Sequence, residues 1–231
     1  MEDYNERLFG KNIFIKNIHT LRFIWLSKNI KKYCPDVNNV LELGCYDAKT
    51  LNYLPKVKNY LGIDANWENG LDIAKNTKHK TQNTNIKLIE SSSLIKLSEE
   101  FDVSIAMEVL EHLPDEDLAK YIKMLANAKY VFITIPKESG ISFFIKYIIK
   151  KIIFYPTEKH TFKEFILVSI GKPNKIPRQV GGHKGFDYKK TIELIEEKFE
   201  ILQVDGLNGP SFFEPLCIRL GIIGKRKTKL Q

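Results

Sequence analysis

A regular alternation of short apolar runs with helical segments most constrains the fold of this chain. Each apolar run is bounded by turn residues, and a segment with helical periodicity usually separates it from the next, which is typical of β-α-β units. The predicted strands are 40–44, 60–64, 86–89, 101–107, 130–135, 199–204 and 220–223, and the predicted helices are 19–33, 49–53, 116–128 and 188–198. This order predicts an α/β fold: a Rossmann-like, doubly wound, mostly parallel seven-stranded sheet with helices on both faces. Ligands of such a sheet bind beyond the carboxyl ends of its strands.

The remaining segments extend this core within a single domain, 1–231. We predict an N-terminal helical cap (1–35), a ligand-binding core (36–136), a basic and apolar lid insert (137–185) and a C-terminal helix with strands (186–231). Three cysteines form no disulfide framework, and no leader pattern opens the chain, so we expect a cytoplasmic location.

The positive charge is concentrated in the insert. The chain carries a net charge of +8, and the stretch 141–190 contains 11 Lys or Arg against 3 Asp or Glu, so the other residues balance. A localised basic surface favours an anionic partner, such as a membrane surface, a nucleic acid or a phosphorylated substrate. The alternative is a solvated surface without a partner.

The loop after the first strand, within VLELGCYDAKTL (40–51), indicates which ligand is bound. A pyrophosphate needs several glycines, but only Gly44 is present, and Tyr46 and Ala48 occupy the places of further glycines. We expect Glu42 to face the crevice, where its charge would repel phosphate and attract an ammonium group. Asp64, at the end of the second strand, can accept hydrogen bonds from two ribose hydroxyls. A nucleoside with a cationic tail and no phosphate is S-adenosylmethionine.

Four motifs stand in order: LELGC (41–45), LGID (61–64), FDVSIAMEVLEHL (101–113) and VFITIPKE (131–138). With them, the segment 40–135 resembles the class I S-adenosylmethionine-dependent methyltransferases, especially the type 11/23-like group with an EVLEH signature. The resemblance places the methionine part of the cofactor near Glu42 and the backbone of Gly44, Cys45 and Tyr46. It also implies cofactor contacts from Asp64 at the ribose, Ala65 under the adenine, Ser91 and Ser92 in place of an acid, and Ala106 and Met107. A degenerate domain that binds no cofactor is the alternative.

The EVLEH signature contains Glu108, Glu111 and His112, which would share one face if a helix began there. In one interpretation these side chains hydrogen-bond neighbouring loops and shape the pocket. In a second, Glu108 or His112 is a general base, with His183 as a further candidate. In a third, Glu108, Glu111, His112 and His183 bind a divalent metal, as the resemblance to small-RNA 2′-O-methyltransferases implies. Nothing in the spacing demands a metal, so a site without one is our main prediction.

The segment SFFIKYIIKKIIFYP (142–156) predicts a helix that is apolar over most of its circumference. It is too short to span a bilayer, which needs about 20 residues. It suits a membrane interface or the cover of an apolar acceptor pocket, whereas a lid on the core or a homodimer interface is the alternative. The positive surface is expected to continue through Lys159, Lys163, Lys172, Lys175 and Arg178.

Together these features predict in-line methyl transfer from S-adenosylmethionine to oxygen, or less readily nitrogen. The predicted acceptor is small, lipid-linked or anionic, and the enzyme is cytoplasmic or peripheral to the membrane. One alternative is a metal-assisted RNA 2′-O-methyltransferase, against which the chain shows no evident RNA-binding module. Another is a catalytically inactive scaffold protein.

Overall fold

A seven-stranded sheet forms the centre of the protein. The fold comes from a computed structural model that describes residues 13–77, 84–91, 95–152, 158–207 and 217–228. Its strands are β1 (Asn39–Leu43), β2 (Asn59–Asp64), β3 (Asn85–Glu90), β4 (Phe101–Met107), β5 (Ala128–Pro136), β6 (Phe199–Leu207) and β7 (Arg219–Arg226). They lie in the order β3-β2-β1-β4-β5-β7-β6. The first five pair in parallel and β7 runs antiparallel between β5 and β6, which confirms the predicted fold class.

Helices cover both faces of this sheet. They are α1 (Ile13–Tyr33), α2 (Gly70–Asn76), α3 (Asp115–Leu125), α4 (Ile141–Ile152), α5 (Phe162–Ser169) and α6 (Tyr188–Lys198). Apolar side chains of α1 and α2 pack into the core on one face, and those of α3 and α6 into the core on the other. Burial of these apolar stripes supplies the main stabilising term of such a layered fold.

Helix α1 is fastened to the antiparallel end of the sheet by Trp25. The Trp25 ring lies so close to Gly221 that a Cβ atom there would be 2.6 Å from it. The indole N–H donates to Asp205 Oδ2 at 2.7 Å. The helix therefore belongs to the layer that covers the sheet, where Leu26 and Ile30 are fully buried.

The insert has a small apolar core of its own. Phe143 of α4, Val168 of α5 and Ile176 are buried together, and Tyr147 and Phe165 pack against them. The remainder of the predicted helix 142–156, beyond Ile152, lies outside the described residues. The insert is thus a compact unit that leaves other faces of α4 and α5 uncovered.

Two helices expected from the sequence differ in the structure. The segment predicted at 49–53 is a short 3-10 helix, Lys49–Asn52, and Pro55 follows too soon for a full α-helix. No α-helix begins at Glu108, because this residue adopts a left-handed φ of 58° and only Leu110–His112 forms a 3-10 turn. Glu108, Glu111 and His112 consequently do not share one helical face.

Candidate active site

The loop after β1 has a backbone typical of glycine at three positions, although only one of them is a glycine. Gly44, Tyr46 and Ala48 have φ values of 66°, 46° and 53°, all in the left-handed region. Side chains in that region cost about 1–2 kcal/mol per residue, so the surrounding contacts must hold the loop in this shape. The Tyr46 ring packs on Gly70 at the start of α2. A Cβ atom added to Gly70 would lie 2.4 Å from Cδ2 of Tyr46.

Asp64 fastens this loop to the end of β2. Its Oδ2 accepts the backbone N–H of Tyr46 at 2.9 Å, and its Oδ1 accepts that of Asn66 at 2.8 Å. An ionised carboxylate has about four acceptor positions, so lone pairs remain for hydroxyl donors. Ala65 follows directly, and Ser91 donates its N–H to the Asp64 carbonyl at 2.8 Å. Ser92 lies outside the described residues.

Glu42 does not face the crevice as expected from the sequence. It is 2% exposed and lies among the buried residues of β1. Its two carboxylate oxygens accept hydrogen bonds from Thr50 at 2.7 Å and Tyr60 at 2.5 Å. Burial raises the pKa of Glu42 to about 8, against the opposing effect of these two hydrogen bonds. Glu42 therefore supports the loop from below.

The loop after β1 and the EVLEH signature are in contact through Val109. A Cβ atom on Gly44 would lie 2.2 Å from Val109 Cγ2, so glycine is required there by packing as well as by φ. Three other residues assigned to the cofactor by resemblance lie at the same edge of the sheet: Cys45, Ala106 and Met107 are buried. Burial raises the pKa of the Cys45 thiol, which keeps it protonated and unreactive.

Glu108 forms an ion pair with Arg219. Its Oε2 lies 2.8 Å from an Arg219 guanidinium nitrogen at the start of β7. Burial alone would raise the pKa of Glu108, but Arg219 and Arg22 hold it below its ordinary value. A carboxylate stabilised in this way is a weak base.

Glu111, His112 and His183 form a separate group, here called the Glu111 cluster. Glu111 is completely buried, and neither of its carboxylate oxygens has a hydrogen-bond partner among the described residues. Its Oε1 lies 3.9 Å from Nε2 of His112 and 3.9 Å from Nε2 of His183. Burial, followed by the charge of Glu108, raises the pKa of Glu111 to about 8. One ligand atom from each of the three residues lies within 4.8 Å of the others, a spacing that could hold a metal ion.

Arg178 brings the insert loop to this cluster. Its guanidinium donates to the backbone carbonyls of Gly182 and Lys184 and, on the other side, to that of Glu111. Gly181 also donates its N–H to the His112 carbonyl. Arg178 is therefore an internal clamp and not part of the positive surface, which corrects the expectation from the sequence.

Glu138 and Lys146 complete the environment of His183. His183 Nδ1 lies 3.2 Å from Glu138 Oε1, and Lys146 pairs with the same carboxylate oxygen. Burial would raise the pKa of Glu138, but Lys146 and His183 lower it to about 2. Burial also opposes protonation of His183, yet Glu138 raises the pKa of His183 above its ordinary value. For His112, burial and the neighbouring His183 lower the pKa.

A cavity of about 350 Å³ opens between this cluster and the insert, and we call it the insert cavity. Its lining combines the polar side chains of His112, Glu138 and His183 with the aromatic rings of Phe143, Tyr147 and His160. A small or flat group could therefore rest on the rings with a polar atom at the two imidazoles.

Sequence reasoning missed Glu138, Lys146 and Arg219. Glu138 ends the VFITIPKE motif just beyond β5, at the edge where the candidate residues of β1, β2 and β4 also lie, so its position was an available signal. Arg219 is a buried charge at the start of β7, directly before the apolar run 220–224, but the sequence did not show which acid it pairs with.

Comparison with known proteins identifies a family for this chain. A family model described as a methyltransferase domain matches residues 9–151. No curated protein matches the chain.

Several solved structures share the fold at low sequence identity. The methyltransferase domain of a bacterial Hen1 has 17% identity and a TM-score of 0.60, covering 90% of this chain and 100% of that one. The N-methyltransferase NodS from Bradyrhizobium japonicum WM9, in complex with S-adenosylhomocysteine, has 16% identity and a TM-score of 0.58, covering 98% and 94%. The small RNA methyltransferase HEN1 has 15% identity and a TM-score of 0.64, covering 99% of this chain and 27% of that one.

Proposed function

Because this chain belongs to the methyltransferase-domain family, whose cofactor is S-adenosylmethionine, we propose that it methylates a hydroxyl oxygen of a small, lipid-linked or anionic acceptor at the Glu111 cluster. The observation that carries this proposal is the buried Glu111 carboxylate, which has no hydrogen-bond partner among the described residues and lies 3.9 Å from each of two imidazoles that line the insert cavity. A buried carboxyl group without a hydrogen-bond partner lowers the stability of the fold, and such groups are typical of functional sites.

The residues at the carboxyl ends of β1 and β2 fit the cofactor. The left-handed loop at Gly44 and Tyr46 brings backbone to the edge of the sheet, and Asp64 retains free acceptor positions for ribose hydroxyls. When bound, S-adenosylmethionine supplies an electrophilic methyl group on a sulfonium sulfur. The chain's own task is to hold the acceptor oxygen in line with that methyl group and to exclude water.

His112 is placed to take the acceptor proton. Its pKa is lowered, so its ring is neutral near pH 7. Its Nε2 lies 3.9 Å from Glu111, whose ionised form would stabilise the imidazolium that results. In the transfer, the acceptor oxygen forms the new C–O bond with a lone pair. With the electrons of the S–C bond left on sulfur, the hydroxyl proton would pass to His112. His183, held by Glu138, orients the acceptor oxygen from the other side.

Replacing Glu138 with glutamine tests this positioning. The neutral amide would no longer hold both His183 and Lys146, so we expect kcat of methyl transfer to fall roughly 10- to 100-fold. The Kd for S-adenosylmethionine, measured by calorimetry, should stay unchanged because Glu138 lies on the acceptor side. Glu116→Gln, at an exposed acid of α3, is the matched control. If kcat of the Glu138 variant equals that of the control, the positioning role is wrong.

A metal-assisted RNA 2′-O-methyltransferase is the second candidate. It is favoured by the spacing of the Glu111 cluster and by the likeness to the fold of the small RNA methyltransferase HEN1. One carboxylate and two imidazoles suit a borderline divalent ion, which would supply Lewis-acid activation of a hydroxyl. The fourth predicted ligand, Glu108, would first have to leave Arg219.

Transfer of a tritiated methyl group from S-adenosylmethionine separates these functions. The purified chain is incubated with lipid, small-molecule and RNA extracts of the cells that produce it, with added Mn²⁺ or with a chelator. We expect label in the lipid or small-molecule extract, resistant to ribonuclease. Label confined to RNA and lost with chelator would establish the second candidate. Label in none of the extracts, despite calorimetric binding of the cofactor, would establish a scaffold protein.

A further inference from the structure

The insert exposes an unusual amount of apolar surface. Most of the exposed large apolar side chains among the described residues lie on it, and Phe162 is 80% and Ile152 69% exposed. On α4, the exposed side chains recur at helical spacing along one side and also include Ile141, Phe144, Ile148 and Ile149. On α5 and directly after it, Ile166 and Ile170 follow Phe162 at the same spacing. We call these side chains the apolar face. The Phe144 and Phe165 rings lie 5.7 Å apart, so the face extends to where the two helices meet.

The apolar face is accompanied by lysines without ion-pair partners. Lys151, Lys159, Lys163, Lys172 and Lys175 are exposed, and none forms an ion pair with a carboxylate in the described part of the chain. The acids of this region are used internally. Glu158 accepts the N–H of His183, Glu164 pairs with Lys184, and Asp187 caps α6. The positive charge of the insert is therefore directed to its surroundings.

Apolar side chains flanked by uncompensated lysines match the chemistry of an anionic lipid surface. Large apolar groups enter the boundary between head groups and acyl chains, while each lysine near an anionic surface contributes about 1 kcal/mol. Among the described residues, no helix is both long enough and apolar enough to traverse a bilayer. We propose that the apolar face of α4 and α5 docks this protein on an anionic membrane.

A second copy of the chain fits this face less well. Two copies placed face to face would bring their lysines together, and like charges oppose such an approach. A nucleic acid would match the charge but would leave the isoleucines and Phe162 without an apolar partner. A lipid surface satisfies both components at once.

The apolar face and the insert cavity lie on different sides of α4. Phe143, Lys146 and Tyr147 of α4 line the cavity, whereas Ile148 and Ile152 point outward. A docked molecule would thus hold the cavity close to the membrane, where a lipid-linked acceptor would reach it. Docking itself does not depend on methyl transfer, so the two proposals can fail separately.

Vesicle co-sedimentation of the full chain tests the docking. We expect the wild-type chain to sediment with phosphatidylcholine vesicles that contain phosphatidylglycerol, and much less with phosphatidylcholine alone or at high salt. The double variant Ile149→Glu/Ile152→Glu and the variant Phe162→Glu should each reduce the partition coefficient at least about tenfold. Ile24→Glu, at an isoleucine of α1 that is about as exposed as Ile149, is the matched control and should bind as the wild type does.

Three results would overturn the proposal. The wild-type chain could remain in the supernatant with anionic vesicles, or the apolar-face variants could bind as strongly as Ile24→Glu does. Sedimentation velocity could also reveal a dimer that the double variant makes monomeric, in a chain that does not bind vesicles, which would assign the face to a second copy. Circular dichroism and calorimetric cofactor binding verify that each variant is folded.

Discussion

Glutamine in place of Glu111 is expected to slow methyl transfer by at least about 100-fold while leaving the free energy of unfolding unchanged or higher. The carboxyl group is completely buried and its oxygens have no hydrogen-bond partner among the described residues, so ionising it in the folded state is unfavourable and its pKa is raised to about 8. Glutamine has nearly the same shape but can neither stabilise an imidazolium nor bind a cation. Initial rates with labelled cofactor and urea unfolding give the two quantities.

The combination of the two results distinguishes a functional carboxylate from a structural one. If Glu111 mainly held the loops together, activity and stability would fall in parallel, and the proposed role would be wrong. Glu116→Gln again serves as the control at an exposed acid. The same assay with Mn²⁺ and with chelator shows whether the wild-type rate, but not that of the variant, responds to metal.

Alanine in place of Asp64 is expected to raise the Kd for S-adenosylmethionine at least about 100-fold. Asp64 accepts the N–H groups of Tyr46 and Asn66, and hydrogen bonds to a charged group contribute about 1.5–3 kcal/mol each. Without them the left-handed loop at Tyr46 loses its anchor and returns to a less strained backbone. Calorimetric titration of the cofactor measures the change.

Asp72→Ala is a suitable control for this prediction, because Asp72 is an exposed acid on α2 that pairs only with Lys75 among the described residues. A Kd for Asp64→Ala within about threefold of the wild-type value would contradict the assigned role. Thermal unfolding identifies any general loss of structure. In that case Asp64→Asn, which keeps one acceptor oxygen, separates cofactor contact from loop anchoring.

The loop after β1 has the backbone of a glycine-rich ligand-binding loop, although the sequence lacks two of the expected glycines. Tyr46 and Ala48 adopt the backbone that glycine would adopt, so the motif retains its geometry although it has lost its composition. Only the structure could show how this is possible. The Tyr46 ring packs on Gly70, which follows β2, and this contact depends on a neighbour distant in the chain.

The acids were harder to assign from the sequence because each belongs to a different environment. Glu42, Glu108 and Glu111 all lie near carboxyl ends of strands, yet one supports a loop, one pairs with Arg219 and one has no hydrogen-bond partner among the described residues. A helical face was expected to unite Glu108 with Glu111. The left-handed φ of Glu108 turns the backbone and separates them.

By itself, the sequence determined the succession of the seven strands along the chain, the fold class that they form and the concentration of positive charge in the insert. These features follow from hydrophobic periodicity and composition, which are local properties. Only the tertiary structure decided that Arg178 clamps the insert to the Glu111 loop, that Glu138 holds His183, and which side of α4 remains uncovered. Those contacts join residues far apart in the chain, and their partners are selected by packing in three dimensions.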